Sequence, residues 1–257
     1  MGFDLDKAIE TVWENAQRGI HYPDDLKGKI TLEQAYLVQM GILKRHLSLG
    51  RSHIGWKVGL TSKAMQEQQR AREPVLGFFL DGAAQASGVR LKFDSLIRPA
   101  FENELCLTIG STLRGPGVTA EQARRAVAEV APALELPERR GEFGADLAMD
   151  VADGIQAQFF VTGAVTSPLP ADLDLGRAAV EVFINGESRD RAEGTAVMGS
   201  PANSVAWLAN KLAELGMELP AGMRVMSGSF TKQYALSKGD HVLSRFVPFG
   251  EVEAVFE

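Results

Sequence analysis

The 257-residue sequence contains one cysteine, four histidines and no apolar run that approaches the length of a membrane-spanning segment. The single cysteine, Cys106, excludes an internal disulfide bond and is typical of proteins from a reducing compartment. The histidines are scattered along the chain, so their spacing matches no zinc site. No phosphate-binding loop or dinucleotide fingerprint occurs either. These absences exclude disulfide-stabilised, zinc-finger and nucleotide-binding classes.

Positive charge is not clustered along the chain. The net charge of −6, with no concentration of Lys and Arg, argues against a nucleic-acid surface. The first residues, 1–6, are acidic and lack the basic start and apolar stretch of a signal peptide. We therefore expect a cytoplasmic protein without nucleic-acid or membrane partners. A hydrophobic content of 45% is ample for a buried core.

Hydrophobic spacing predicts two N-terminal helices followed by many short strands. The helices cover 4–18 and 31–49, and the second begins with a capping box at Thr31 to Gln34. Further helices are predicted at 119–130 and 204–215. Helices that precede a run of strands indicate an α+β fold. We expect one domain, residues 1–257, with a helical segment at 1–50 and a strand-rich core at 51–257.

The most informative strand is the one around residues 101–109. Its alternation places Glu102 and Glu104 on one face and the apolar residues on the other. Two carboxylates two residues apart project in parallel, with Cα atoms about 7 Å apart. A third carboxylate, Glu135, follows in a short predicted strand at 132–136. Three carboxylates suit Mg²⁺ or Mn²⁺, but the same spacing is typical of solvated glutamates on a half-exposed sheet. The residues alone leave both interpretations open.

Other polar residues carry weaker signals. Lys57 lies in an apolar, glycine-flanked strand, where a lysine either extends to the surface or is held in a cleft for its charge. Asp81 follows an apolar segment and precedes a glycine, as many turn residues do. The segment from Ser227 to Thr231 has the composition of a turn whose backbone N–H groups bind an anion.

Several motifs together resemble the 2-oxopent-4-enoate hydratase and 4-oxalocrotonate decarboxylase family, which is part of the fumarylacetoacetate hydrolase superfamily. The resemblance covers nearly the whole chain, and within the family it is closest to the branch that hydrates 2-oxohept-4-ene-1,7-dioate. The motifs that carry it are Gly55–Gln66 (GWKVGLTSKAMQ), Glu73–Asp81, Arg98–Leu107, Pro132–Leu136, Pro201–Leu212 (PANSVAWLANKL), Ser227–Thr231 (SGSFT) and Lys238–Asp240.

This resemblance implies a fold, a cofactor and a set of site residues. The implied fold is a mixed β-sandwich or β-roll behind a helical N-terminal region, assembled into homo-oligomers of five or ten subunits. The implied cofactor is Mg²⁺ or Mn²⁺, bound by Glu102, Glu104 and Glu135. Lys57 and Asp81 match catalytic or pocket-lining positions. The candidate substrate-binding residues are Ser229, Thr231 and Ser200.

The sequence departs from the family pattern at four places. Ser200 stands where the family has a histidine, and Gly154 where it has an asparagine. The usual Asp-Ser-Arg appears as Glu138–Arg140, and Val75 replaces an aspartate common in the hydratase branch. A serine hydroxyl does not titrate near neutral pH as an imidazole does. If the family's histidine and asparagine carry protons during catalysis, we therefore expect this chain to differ from the family in its substrate or in the reaction itself.

We therefore predict a metal-dependent lyase that hydrates a 2-hydroxy-2,4-dienoate to a 4-hydroxy-2-oxo acid in aromatic meta-cleavage catabolism. Decarboxylation of a 4-oxalocrotonate-type substrate is the nearest alternative, since it uses the same chelation. Hydrolysis of an acylpyruvate is disfavoured, because no histidine lies in a suitable motif to activate water. A non-catalytic subunit that assembles with a pathway enzyme is a further alternative, which the retained carboxylates and Lys57 oppose.

Overall fold

The computed structural model describes residues 2–141 and 144–257. Its α-helices are α1 Leu5–Gln17, α2 Leu32–Ser48, α3 Lys63–Gln68, α4 Ala120–Ala126, α5 Leu147–Ala152 and α6 Pro201–Glu214. Its strands are β1 His53–Gly59, β2 Val75–Leu80, β3 Ala84–Ala86, β4 Val89–Leu91, β5 Ala100–Ile109, β6 Val127–Leu136, β7 Phe159–Thr162, β8 Ala179–Ile184, β9 Glu187–Glu193, β10 Arg224–Met226, β11 Tyr234–Ala235, β12 His241–Val247 and β13 Gly250–Phe256. This mixture of helices and sheets confirms the predicted α+β class.

The strands form two mixed sheets. The larger sheet has the order β2-β1-β10-β5-β6-β7-β3, with β11 paired to one end of β5. The smaller sheet has the order β4-β13-β12-β8-β9. Strands β12 and β13 pack against β6, so one face of the larger sheet lies against the smaller one. A hydrogen bond of 2.5 Å from Ser244 Oγ on β12 to Asn103 Oδ1 on β5 joins the two sheets.

The other face of the larger sheet curls around the candidate site. Strands β1 and β6 are three positions apart in the sheet order, which corresponds to about 14 Å in a flat sheet. Lys57 on β1 nevertheless contacts Glu135 on β6 through an ion pair of 2.8 Å. Side chains that stand perpendicular to a flat sheet would not meet across that distance, so the sheet is curved and its concave face brings the two side chains together.

A buried glutamine attaches the N-terminal helices to this core. Gln39 on α2 is fully buried and donates hydrogen bonds to the carbonyls of Leu76 on β2 and Val151 on α5. The predicted capping box at the start of α2 is present, with Thr31 and Gln34 bonding reciprocally. These contacts support the prediction of a single domain, which stays a prediction. None of the helices in the described ranges has the length and apolar character needed to cross a bilayer.

The structure corrects the helix predicted at 119–130. The helix α4 ends at Ala126, and β6 begins at Val127, well before the short strand predicted at 132–136. Residues 127–135 pair with β5 along its length, and Val127 and Val130 are buried there. Pairing with a long neighbouring strand outweighs local helix propensity, and β-branched residues pack well in it.

Candidate metal centre

Three carboxylates converge on the concave face of the larger sheet. Glu102 and Glu104 both lie on β5, and Glu135 on β6 stands directly opposite Glu102 in the antiparallel register. One carboxylate oxygen from each residue lies within 4.8 Å of the other two. Glu104 and Glu135 are 1% and 0% exposed, whereas Glu102 is partly exposed. We call these three residues the carboxylate triad. Their burial excludes the alternative of solvated glutamates for two of the three.

Burial and mutual repulsion raise the proton affinity of the triad. Burial raises the pKa of Glu135 to about 7, although the nearby Lys57 acts in the opposite direction. Burial also raises the pKa of Glu104 well above its usual value, and the charges of Glu102 and Glu135 add to the effect. Such crowding of buried negative charge is relieved by a bound cation.

Buried carboxylate oxygens without hydrogen bonds show that the triad fits such a cation. Both carboxylate oxygens of Glu135 lack hydrogen-bond partners in the described part of the chain, apart from the ion pair with Lys57. Buried polar atoms are seldom left without partners in native proteins. The all-oxygen donor set is that preferred by Mg²⁺ and Mn²⁺. Glu102, Glu104 and Glu135 are therefore the residues that would hold the metal.

Two hydrogen bonds orient the other carboxylates. The backbone N–H of Gly228 donates to Glu104 Oε2 over 2.8 Å, and Gln233 Nε2 donates to Glu102 Oε1 over 3.1 Å. Gly228 adopts a φ of +107°, and a Cβ atom there would lie 2.4 Å from Cγ2 of Thr61. The turn composition predicted an anion-binding backbone N–H at this segment. In the structure that N–H binds a carboxylate of the protein itself.

Lys57 places a positive charge beside the triad. Its side chain is 6% exposed, and its Nζ atom lies 2.8 Å from Glu135 Oε1. Nζ also donates a hydrogen bond of 3.3 Å to the backbone carbonyl of Ile155. Lys57 is therefore held in the cleft for its charge and does not extend to the surface.

Apolar residues continue the concave face beyond the triad. Met226 on β10 pairs with both Lys57 and Cys106, and Ala131 pairs with Cys106 on the other side. These residues belong to a buried cluster that also contains Phe79 and Phe160. Electrostatic interactions are stronger beside such an apolar surface, because little water is present to screen them.

The structure does not bring Asp81 to the triad. In the pairing of β1 with β2, Lys57 stands opposite Gly77, four residues or about 13 Å along the strand from Asp81. The Asp81 carboxylate is 46% exposed and forms an ion pair of 2.6 Å with Arg51. It lines a cavity of about 480 Å³ between the N-terminal helices and the 152–159 segment, and Phe79 and Gly154 line the same cavity. The expectation that Asp81 shares the metal pocket stays a prediction.

The three candidate substrate-binding hydroxyls have partners within the protein. Ser229 Oγ accepts a hydrogen bond from the backbone N–H of Asn103, and Thr231 Oγ1 accepts one from Asn103 Nδ2. Asn103 lies between the two glutamates of β5, on the opposite face, so both hydroxyls support that strand. Ser200 caps α6 by accepting from the N–H of Ala202, and in the described ranges no hydrogen bond joins it to the triad.

Sequence reasoning missed the carbonyl of Ile155 as a partner of Lys57. The glycine at position 154 was a signal for a left-handed backbone, but backbone carbonyl positions leave no mark in residue types. The contact also depends on the curvature of the sheet, which strand spacing does not reveal.

Comparison with known proteins gives a consistent set of similarities. The family described as fumarylacetoacetate (FAA) hydrolase C-terminal matches residues 56–257. A 4-oxalocrotonate decarboxylase from Pseudomonas sp. (strain CF600) is 36% identical, covering 95% of this chain and 93% of its own. The 2-oxo-hept-4-ene-1,7-dioate hydratase of Escherichia coli is 35% identical, with coverages of 92% and 89%.

Solved structures show the same similarity. A 4-oxalocrotonate decarboxylase from Pseudomonas putida G7, complexed with magnesium and adipate, superposes with a TM-score of 0.92 at 30% sequence identity. The match covers 100% of this chain and 99% of that one. The shared architecture therefore includes the N-terminal helices, which precede the region matched by the family.

Proposed function

This chain belongs to the fumarylacetoacetate hydrolase family, and on that premise we propose that it is a divalent-metal-dependent hydratase of a 2-hydroxy-2,4-dienoate. The product is a 4-hydroxy-2-oxo acid, and the setting is aromatic meta-cleavage catabolism. The observation that carries the proposal is the buried carboxylate triad with the Lys57 ammonium paired to one of its members. Hydratases of this substrate class are among the similar proteins.

The proposed cofactor is Mg²⁺, with Mn²⁺ as a substitute. When bound, such an ion supplies Lewis-acid polarisation and orients chelating oxygens of the substrate. A 2-hydroxydienoate offers two such oxygens, one from its carboxylate and one on C2. The proposed ligands are Glu102, Glu104 and Glu135, and each of them has a hydrogen bond or ion pair that restricts its orientation.

The proposed role of Lys57 is to stabilise negative charge on the C2 oxygen. Conversion of the dienol to the 2-oxo form removes the proton from the C2 hydroxyl and adds one at C5, after which water adds at C4. An ammonium beside an apolar surface stabilises a developing oxyanion more than one in water does. As an ammonium, Lys57 Nζ can donate a hydrogen bond to the C2 oxygen, and a separate positioned group that accepts the C2 proton would contribute roughly 10²–10⁴-fold in rate. A catalytic role of Asp81 and substrate contacts of Ser200, Ser229 and Thr231 stay predictions.

Decarboxylation of a 4-oxalocrotonate-type dioate is a second candidate, supported by a specific observation. The β2 residues that pair with Lys57 and its neighbours on the same face are Val75, Gly77 and Phe79, and none carries a titratable group. Hydration needs a proton delivered to C5 and a base for water, whereas decarboxylation needs an electron sink at the C2 oxygen and fewer proton transfers. Two of the similar proteins cited above are decarboxylases.

The test is product analysis with purified protein. The protein is incubated with Mg²⁺ and 2-hydroxydienoates or 4-oxalocrotonate-type dioates, and products are identified by mass. Gain of water supports hydration, and loss of CO₂ supports decarboxylation. Glu104→Gln is expected to abolish turnover and Mn²⁺ binding. Glu129→Gln, on β6 but six residues from Glu135, serves as the matched control and retains both. A Glu104→Gln variant with an unchanged rate would refute the metal-site assignment.

We further propose that the protein is cytoplasmic and forms a homo-oligomer of five or ten subunits. Binding of this oligomer to a pathway enzyme is a separate proposal, which needs its own test. Support comes from exposed apolar side chains along and just after α2, namely Leu37, Leu47 and Leu49. Light scattering coupled to size-exclusion chromatography measures the subunit number. A monomeric mass at micromolar concentration contradicts the oligomer proposal.

A further inference from the structure

Three consecutive residues beside Lys57 adopt a left-handed backbone. Gly154, Ile155 and Gln156 have φ angles of +78°, +48° and +61°. We call them the left-handed turn. Residues other than glycine rarely adopt this conformation, and for a β-branched side chain such as that of Ile155 it is exceptional. Both non-glycine residues are nearly inaccessible to solvent, at 3% and 2% exposure. Strain of this kind persists where the surroundings hold it in place, and it concentrates at functional sites.

The turn presents a backbone carbonyl to the lysine of the candidate site. Ile155 O accepts the hydrogen bond from Lys57 Nζ, while Glu135 binds the same nitrogen from another direction. A lysine side chain has a flexible four-carbon stem, so a single partner does not define the position of its ammonium. Glu135 and the Ile155 carbonyl lie on different parts of the fold, and together they define that position.

The turn also lies directly against the strand that pairs with Lys57. Gly77 stands opposite Lys57 in the register of β1 and β2. A Cβ atom on Gly77 would lie 2.3 Å from the carbonyl oxygen of Gly154 and 2.7 Å from Cγ1 of Ile155. The absence of a side chain at Gly77 is therefore what allows the turn to approach Lys57.

Backbone hydrogen bonds hold the residues that flank the carbonyl. The N–H of Ile155 donates to the carbonyl of Asp150 over 2.7 Å, and the carbonyl of Gln156 accepts from the N–H of Glu138 over 3.1 Å. Glu138 follows β6 closely, so the turn is connected to the strand that carries Glu135.

A buried ion pair holds the residue before the turn. Arg140 donates to Asp153 Oδ2 over 2.8 Å and to the Asp153 carbonyl over 3.1 Å. Both side chains are less than 10% exposed. Two donors from one guanidinium define the position of Asp153 more narrowly than a single bond does.

A tyrosine from the N-terminal region completes the support. Tyr22 donates a hydrogen bond of 2.5 Å to Asp150 Oδ1 and accepts one from Gln156 Nε2 over 3.3 Å. The mechanism described above uses none of these groups. What they share is contact with the left-handed turn or with residues that bond to it.

We propose that the left-handed turn is a positioning element for Lys57, and that Gly77 and the Arg140–Asp153 ion pair are positioning residues that act through it. The Ile155 carbonyl keeps the ammonium aimed at the space beside the triad. This inference rests on the proposed function, because it assigns Lys57 a charge that acts on the substrate.

The test is a double-mutant cycle read by ligand binding. The probe is oxalate in the presence of Mg²⁺, because its two oxygens chelate a metal as the carboxylate and C2 oxygen of the substrate do. Isothermal titration calorimetry gives its affinity without turnover. Gly77→Ala is expected to lower oxalate affinity by about tenfold and kcat by a similar factor. In a Lys57→Met background the same substitution is expected to change affinity by less than twofold, because the group that it displaces is gone.

Gly163→Ala is the matched control. A Cβ atom there meets the carbonyl oxygen of Glu251 at 2.2 Å, a comparable clash on a different part of the chain. It is expected to lower thermal stability without changing oxalate affinity. If Gly77→Ala does not fold, Asp153→Asn supplies the same cycle, since it keeps the shape of the side chain and removes its charge.

The outcomes separate the two proposals. An equal loss of affinity in the wild-type and Lys57→Met backgrounds overturns the positioning role and leaves the metal site intact. Absence of any Mg²⁺-dependent oxalate binding by the wild-type protein overturns the proposed function itself, and the positioning role with it. Loss confined to the background that contains Lys57 supports the proposal.

Discussion

The ammonium nitrogen of Lys57 lies 2.8 Å from a carboxylate oxygen of Glu135, and both side chains are almost completely buried. A buried ion pair contributes little net stability, because desolvation of the two charges offsets their attraction. Removal of one partner is far more damaging, since it leaves the other charge buried and unpaired. If Lys57 is removed, the unpaired charge is that of Glu135, which lies next to the carboxylates of Glu102 and Glu104.

Lys57→Met is therefore expected to destabilise the metal-free protein. At pH 8 the free energy of unfolding should fall by about 3 kcal/mol, since breaking a buried pair typically costs about 3–5 kcal/mol and partial protonation of Glu135 offsets some of it. Mg²⁺ should restore more stability to this variant than to the wild-type protein, because the cation replaces the lost positive charge. Urea unfolding with and without Mg²⁺ measures both effects.

Lys63→Met is the control for this experiment. Lys63 begins α3 and is exposed, and its ammonium donates a hydrogen bond of 3.1 Å to Oε1 of the buried Gln66. Its loss should lower the free energy of unfolding by about 1 kcal/mol, the usual net contribution of one hydrogen bond. A Lys57→Met variant as stable as Lys63→Met in metal-free buffer would contradict the compensating role of Lys57.

Metal binding is expected to weaken as the pH falls through about 7. Burial raises the pKa of Glu135 to about 7 and that of Glu104 well above its usual value, so both carboxyl groups hold protons that a cation must displace. For each proton displaced, the apparent affinity falls up to tenfold per pH unit below the pKa. Calorimetric titrations with Mn²⁺ at pH 8, 7 and 6 measure this dependence. An affinity that is constant over this range contradicts it.

The same pKa shifts give the metal-free protein an opposite pH dependence of stability. The pKa values of Glu135 and Glu104 in the folded state lie above the ordinary value of 4.5. At a pH between the ordinary and the folded-state pKa, the folded protein therefore holds more protons than the unfolded chain. The free energy of unfolding should therefore fall as the pH rises from about 5 through 7. Urea unfolding in a chelating buffer tests this, and a rise in stability over that range would contradict it.

Gly228→Ala is expected to weaken metal binding about 10–100-fold. The added Cβ atom meets Thr61 at 2.4 Å, so the backbone N–H that donates to Glu104 must move, and loss of such outer contacts typically has this effect. Gly239→Ala is the matched control, because Gly239 also has a positive φ, of +92°, but an added Cβ there meets nothing within 4 Å. Alanine at a positive φ strains the backbone in both variants, whereas only Gly228→Ala adds the clash with Thr61. A difference in Mn²⁺ affinity between the two variants therefore measures the effect of the clash. Equal affinities in the two variants would exclude a role for the Gly228 N–H.

Local chemistry predicted several features of this protein correctly. The capping box at Thr31 and Gln34 begins α2 as expected, because it depends on groups three residues apart. Alternation along β5 placed Glu102 and Glu104 on one face, since that period is a property of any strand.

The error in the predicted elements arose where a distant part of the chain competes with local preference. The segment 127–130 was predicted as the end of a helix and is strand, because β5 supplies pairing partners that the sequence does not display. The assignment of Asp81 to the metal pocket rests on motif similarity and stays a prediction. The Asp81 carboxylate forms an ion pair with Arg51.

The sequence by itself determined the family, the α+β class and the residue types of the metal centre, because these follow from motifs and from spacing within single elements. Only the tertiary structure decided that Glu135 faces Glu102, that the sheet curls until Lys57 reaches Glu135, and that Ile155 turns its carbonyl toward the same nitrogen. Each of these contacts joins residues more than 30 positions apart. Strand register, sheet curvature and buried support create them, and residue spacing along the chain specifies none of the three.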